Sequence, residues 1–318
     1  MPADSTVSVI IPTYDRADLL RESLVSVFAQ THPPAQVIVV DDGSTDHTDA
    51  VLREFGDRVC AVQNGHRGIS SARNAGIDRS SGAFIAFLDS DDLWQPDKLA
   101  LHLAFARAHP EADLTYTDAE EFNSAGTLNP SYVGLSPELR DPAHLFPAMV
   151  KRFAFPLTSA TMVRTAALNQ RGLRFMEDVH VGEDLGLFLE IMLSGGRFAY
   201  LAEPLTRRRM HDSNVSQDHA YRFDQRRVLY SRLLEKYAGK CTPEQREVLE
   251  WGLRDAHFRL GECAWAGFEM QQARRHFRKA WGADGPGVLA MAYSVLSWLP
   301  RGAIGAARSV KRALTGGS

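Results

Sequence analysis

Three carboxylates stand almost side by side at Asp89-Ser90-Asp91-Asp92, directly after the apolar run of residues 84–88 (FIAFL). Acids crowded this way repel one another unless a cation sits among them, and hard divalent ions take oxygen ligands. The chemistry this allows is a magnesium or manganese ion that also holds phosphates. Asp is a good N-cap residue as well, so a capping cluster for the following segment competes on this stretch alone. A second acidic pair, Asp41-Asp42, follows the apolar run 37–40 (VIVV) and opens the turn-rich Gly43-Ser44-Thr45-Asp46.

Both acid clusters sit where strands must end. Residues 7–11 (VSVII) read as a buried strand closed by Pro12-Thr13-Tyr14, and 37–40, 59–62 and 84–88 read as three more. Helical spacing of Leu20, Leu24, Val27 and Phe28 predicts a helix over 17–30, ended by His32-Pro33-Pro34. Another is expected through Val51, Leu52 and Phe55, and a third over 70–78, carrying Arg73 and Asn74. This alternation predicts an α/β layer fold with a mostly parallel sheet. Ligands of such sheets bind outside the carboxyl ends of the strands, so 12–15, Asp41-Asp42 and 89–92 can converge on one site.

Further on, a helix is expected through Leu101, Phe105 and Ala108, strands over 114–117, 159–163 and 198–201, and a helix with Leu185, Phe188, Leu189 and Met192 on one face. Residues 123–147 read as a long loop with short helical turns. From about Tyr221 the pattern is helical and Arg-rich, which sets expected domains at 1–218 and 219–318. Leu260-Gly261, Ala273, Phe277, Ala280 and Pro286 approximate one tetratricopeptide-like spacing, with a plain helical hairpin as the alternative. The tail 288–314 sets Leu289, Tyr293, Leu296 and Leu299 among small residues and then carries Arg301, Arg308, Lys311 and Arg312. It is read either as a terminal helix packed on its own domain or as a peripheral contact with an anionic membrane surface.

Bulk composition narrows the class. With 318 residues, 44% hydrophobic and 24% charged, the chain has the make-up of a soluble globular protein. A net charge of −3 offers no basic field for nucleic acid. Three scattered cysteines argue against a zinc site or a disulfide framework. No secretory signal and no membrane-spanning run are expected, which makes a cytoplasmic protein the default, with the inner face of the membrane as a peripheral option.

The pieces VSVIIPTYDRADLL, VVDDGSTD, NGHRGISSARNAG and FIAFLDSDDLWQPDKL, in that order, resemble the nucleotide-sugar-binding half of the family-two inverting glycosyltransferases, with the GT-A fold. GEDLGLFLEI and RRRMHDSNVS extend the resemblance to residues 5–216. It implies a nucleobase pocket at Pro12, Tyr14 and Asp42, with Arg16 near it, and Arg73 facing the diphosphate. It implies an Asp-x-Asp motif in which Asp91 binds Mn2+ or Mg2+ directly and Asp89 acts through ribose or water. Asp92 is left unassigned. Asp184 matches the catalytic base, Glu183 its orienting neighbour, His211 a residue completing the metal site, and Arg209 a phosphate contact, with Arg207 and Arg208 as alternatives. The implied activity is metal-dependent transfer of a sugar, with UDP the favoured nucleotide, to a glycan, lipid-linked or small-molecule acceptor in polysaccharide or glycoconjugate synthesis. Two alternatives stand beside it. One is a sugar-phosphate nucleotidyltransferase, disfavoured because IIPTYDRAD replaces the glycine-rich loop. The other is a non-catalytic nucleotide-sugar-binding scaffold.

Overall fold

The computed structural model describes residues 5–211, 218–282 and 285–298. The chain divides into two compact units, Met1–Val215 and Ser216–Ser318. In the first, strands β1 (Val7–Thr13), β2 (Gln36–Asp41), β3 (Cys60–Gln63) and β4 (Phe84–Phe87) run parallel in the order β3-β2-β1-β4. Every residue of β1 and β4 is buried, as expected of parallel strands covered on both faces. Helix α1 (Ala17–Phe28) packs Leu20, Leu24 and Val27 against Val7, Val9 and Ile11 on one face. Helix α2 (Thr48–Phe55) adds Val51 and Leu52 to the same cluster. Helix α3 (Ile69–Arg79) covers the other face. A Cβ on its Gly76 would fall 2.4 Å from Ile10 Cγ2, so the absence of a side chain lets α3 press onto β1.

The sheet continues through β5 (Leu93–Trp94), β6 (Leu114–Asn123), β7 (Gly126–Asn129), β8 (Thr161–Arg164) and β9 (Phe198–Arg209) in the order β4-β8-β6-β9-β5, with β7 paired to β6. β8 is antiparallel to both β4 and β6, β9 is parallel to β6, and β5 is antiparallel to β9. Helix α4 (Lys98–Ala108) connects β5 to β6. Helices α5 (Tyr132–Leu135), α6 (Leu145–Arg152), α7 (Thr165–Arg171) and α8 (Glu183–Leu193) complete the unit. The molecule is thus an α/β protein with a mixed sheet flanked by helices and a helical C-terminal region.

Two strands are longer than their apolar runs predict, and for one shared reason. β6 extends past Thr117 to Asn123, and β9 past Leu201 to Arg209. Their second halves are charged and look like loop when read separately. Side by side they compensate: Glu120 opposes Arg207 and Glu121 opposes Arg208 in the register, with ion pairs at 3.1 and 2.9 Å. The arginine run expected in a closing loop therefore lies on a strand. The hairpin strand β7 also falls in the stretch read as loop, and α5 is one of the short helical turns expected there.

The second unit is helical: α9 (His219–Lys236), α10 (Pro243–Ala266), α11 (Met270–Lys279) and α12 (Gly285–Leu296). Thr242 and Gln245 form a reciprocal capping box at the start of α10. Gly261 faces Phe277, whose ring would lie 2.5 Å from a Cβ at that position. Ala273, Phe277 and Ala280 share a core with Phe258, Trp265 and Ala290. The repeat-like spacing thus marks the contact of one helical hairpin. Charge is divided unevenly between the units. Residues 216–318 carry 17 Lys and Arg against 10 Asp and Glu, a net of +7, which leaves −10 on residues 1–215.

Candidate active site

Cross-linked loops at the carboxyl ends of β1, β2 and β3 form one wall. Asp15, with a left-handed φ of 48°, accepts the Thr45 N–H at 2.6 Å and donates its own N–H to Ser44 Oγ at 2.9 Å. Asp46 accepts the Ala17 N–H at 3.0 Å, tying the same two loops again. Asp42 accepts from Asn64 Nδ2 at 2.6 Å and from the backbone N–H groups of Arg67 and Gly68 at 2.8 Å each. Its carboxylate thus holds the 64–68 loop as well as bordering the cavity. Tyr14, 43% exposed, presents its ring 4.8 Å from that of His66, a residue without a role in the sequence reading.

The acid cluster divides into three roles. Asp91 Oδ2 is shared by Arg16 Nη1 and by His211 Nε2, the latter at 3.0 Å. Asp89 accepts from Arg73 Nη2 at 2.7 Å. Asp92 is buried at the wall of the same cavity, with its oxygens occupied: they meet the Ser159 hydroxyl at 2.6 Å and the Arg209 N–H at 3.0 Å. Burial, with Asp89 and Asp91 alongside, pushes its carboxyl up to about 8. Ser159 also accepts the Asp89 N–H at 3.0 Å, and its carbonyl accepts from Trp94 Nε1 at 2.8 Å and Thr206 Oγ1 at 3.2 Å. This one buried serine joins β4, β5 and β9. Nothing in its sequence surroundings distinguishes it.

Across the cavity, α8 begins on Gly182 in the left-handed region, φ 83°. Its first residues, Glu183 and Asp184, diverge. Glu183 turns inward to Arg73 Nη1 at 2.8 Å, whereas Asp184 borders the cavity and accepts from Thr158 Oγ1 at 3.0 Å. Burial and the neighbouring Glu183 raise the Asp184 carboxyl to about 7, against the opposing pull of Arg73. Arg73 is only 2% exposed, clamped between Asp89 and Glu183, with its guanidinium 5.2 Å from the Phe175 ring. Expected to face a diphosphate, it is instead a buried strut between the acid cluster and the start of α8. Its charge is already matched by two carboxylates, and desolvation makes an open position unfavourable.

Pro12, Tyr14, Arg16, Asp42, Asp89, Asp91, Asp184 and Arg209 all border a single cavity of about 440 Å³. Arg208, Thr158, Tyr132, Phe155 and Leu157 border it too. Of these, Arg208 was an alternative to Arg209, and the structure places both there. Arg209 Nε donates to the Asp91 carbonyl at 3.0 Å and its Nη2 meets Glu22 at 2.5 Å. Tyr132, Phe155 and Leu157 lie in or beside the stretch read as loop. Single aromatic and apolar residues there carry no periodic signal.

Among the described residues, no group of three or more His, Cys, Asp or Glu side chains could hold a metal ion unaided. Asp91 and His211 supply two donors of suitable chemistry. Magnesium-like ions commonly take only one or two carboxylates from protein and the rest from phosphate and water. The pair therefore has donor chemistry that fits a divalent ion arriving with a diphosphate. Residues Asp212 and Ser213 to Ser216 of the expected closing loop lie outside the described residues.

A mixed α/β sheet with acids, aromatics and arginines at its strand exits is the layout of the GT-A class, and solved structures agree. S. aureus TarS residues 1–349, in complex with UDP-GlcNAc, superposes with a TM-score of 0.62 at 19% identity, covering 92% of this chain and 89% of that one. The mannosyltransferase PcManGT of Pyrobaculum calidifontis, with GDP-Man and Mn2+, gives 0.58 at 20% identity, covering 92% and 80%. Residues 8–146 match the model of glycosyl transferase family 2, so this segment is a family-2 glycosyltransferase region. An uncharacterized glycosyltransferase of Rickettsia bellii is 34% identical over 219 residues, 67% of this chain. The chain spans 30% of that relative's length.

Proposed function

We propose that the first unit is an inverting glycosyltransferase that moves a sugar from a nucleoside diphosphate, UDP by preference, to an acceptor hydroxyl. The observation that carries this reading is the pairing of two unlike acid sites across one cavity. On one side stand Asp89 and Asp91, beside two arginines. On the other stands Asp184, a carboxylate raised to about 7 and suited to accept a proton near neutrality. In the reaction Asp184 takes the acceptor proton as the acceptor oxygen bonds to the anomeric carbon. The bond from that carbon to the β-phosphate oxygen breaks, and its electron pair leaves with the nucleoside diphosphate. Arg208 and Arg209 stabilise the charge that builds on the phosphate oxygens. Arg73 and Glu183 hold the two acid sites in fixed relation. A divalent ion held by Asp91 and His211 would supply further neutralisation of the diphosphate. Tyr14 offers a face on which the base can stack, with His66 behind it. The UDP-GlcNAc complex of TarS supports UDP, and the Mn2+ beside GDP-Man in PcManGT supports the ion. The acceptor is a glycan or a lipid-linked glycan, in polysaccharide or glycoconjugate synthesis.

The test is to incubate the chain with UDP-sugars and Mn2+ and to identify the released nucleotide. The expected product is UDP. Pyrophosphate exchange would point to a nucleotidyltransferase, and no turnover with any donor to a scaffold. Asp184→Asn should lower turnover by about 10²–10⁴-fold while leaving UDP binding intact. Asp91→Ala should lose both turnover and Mn2+-dependent UDP binding in calorimetry, and undiminished binding would sink the metal assignment.

A further inference from the structure

The last described helix of the second unit is built the wrong way round for a helix facing water. α12 contains no charged residue. One side packs inward through Ala290, Tyr293 and Ser294. The other presents Val288, Met291 and Val295, followed by Trp298 just past its end, 55%, 42%, 72% and 72% exposed. Their spacing of three, four and three residues places them in one stripe. Solvent-facing stripes of this kind mark a surface that meets something apolar.

Beside this stripe runs a row of positive charge. Helix α11 carries Arg274, Arg275, Arg278 and Lys279 and no acid, and none of the four pairs with a carboxylate among the described residues. The two features are joined physically: the Arg274 guanidinium lies 4.0 Å over the Trp298 ring. Both residues border a shallow cavity of about 450 Å³ with Arg275 and Arg278. The unit as a whole carries a net +7.

We infer that the α11–α12 face is a docking surface for an anionic lipid bilayer. The apolar stripe enters the headgroup–acyl boundary, Trp298 sits at the interface, and the α11 arginines meet lipid phosphates. Charge selects this occupant over others. Residues 299–318 have four cations and no acid, so folding that segment back would set like charge against the α11 row. A second copy would bring its own α11 cations to the same face. A bilayer supplies both apolar depth and negative charge. The inference is independent of the transfer reaction assigned to the first unit.

The experiment is flotation of the full chain with phosphatidylcholine vesicles, with and without about one third phosphatidylglycerol. Binding is expected only to the anionic vesicles, falling as salt rises. Replacing Arg274, Arg275 and Arg278 by Gln together should weaken it more than tenfold, at roughly fivefold per charge. The three Arg→Lys changes should restore it. The pair Val295→Ser and Trp298→Ser should also weaken it more than tenfold, with circular dichroism unchanged because both side chains are exposed. No binding to anionic vesicles, equal binding to neutral ones, or indifference to both sets of changes would overturn the proposal. So would a dimer in light scattering that the Val295→Ser, Trp298→Ser pair dissociates, since the face would then be occupied by a second copy. Tighter binding of the same face to an acidic peptide or to RNA in fluorescence anisotropy would overturn it as well.

Discussion

At the scale of single residues, the site separates acids by environment. Asp91 is shared by two cationic or protonatable groups, Asp92 is buried against a serine hydroxyl and a backbone N–H, and Asp184 is desolvated beside Glu183. Asp92 and Asp184 both border the cavity with raised values, about 8 and about 7, but both Asp92 oxygens are taken by Ser159 and the Arg209 N–H, which leaves Asp184 as the base. A base works when deprotonated, so log kcat/KM should rise with pH, with slope one, and level off above about 7. The Thr158 hydroxyl donates to Asp184 and favours its charged form. Thr158→Val keeps the shape and removes that bond, so the raised value should climb further. The predicted result is a shift of the rise toward alkaline pH by about one unit, the scale of one hydrogen bond to a charged group. A pH–rate profile that ignores the substitution would remove Asp184 as the titrating base.

At the scale of elements, Ser159 does most to set the site's geometry. Its hydroxyl fixes the Asp89 backbone and the Asp92 side chain, and Asp92 in turn fixes Arg209 at the end of β9. Ser159→Ala would leave a buried N–H and a buried carboxyl short of a partner each, a loss of about 1–3 kcal/mol. We expect a lower denaturant midpoint at unchanged m-value, with weaker nucleotide binding. A variant matching the parent in both would show that β4 and β9 are held in place by other contacts. Such links explain what could be read in advance. β1, β2 and β4 are continuous apolar runs followed by acids, and both the strands and their exits were legible in the order of residues. Tyr14, Asp89, Asp91 and Asp184 were named from motif resemblance and do border one cavity. Arg73 resisted the same reading because its burial depends on Asp89 and Glu183, and Glu183 lies 110 residues away. The second halves of β6 and β9 resisted it because each is charged alone and neutralised only by the other. Ser159 had no signal, since a hydroxyl acquires its role from what folds around it.

At the scale of the whole molecule, charge is the organising quantity. Residues 1–215 carry a net −10, and yet the proposed ligand is itself a polyanion. Two local devices oppose that field: the ends of Arg208 and Arg209 at the cavity, and the pair Asp91 and His211, which can take a cation. The arginines are partly spent already, Arg208 on Glu121 and Arg209 on Glu22. Their remaining charge is small against the acids that face the same space. Nucleoside diphosphate binding should therefore lean heavily on an added divalent ion. In calorimetry, UDP affinity with EDTA should be at least roughly tenfold weaker than with Mn2+, because the cation screens acid from phosphate over distances shorter than a Debye length. His211→Ala should narrow that gap without abolishing the residual binding in EDTA, which rests on the arginines and the aromatic face of Tyr14. If UDP binds equally well with and without the ion, the arginines alone overcome the field, and the acids at 89 and 91 serve the ribose and the protein scaffold instead.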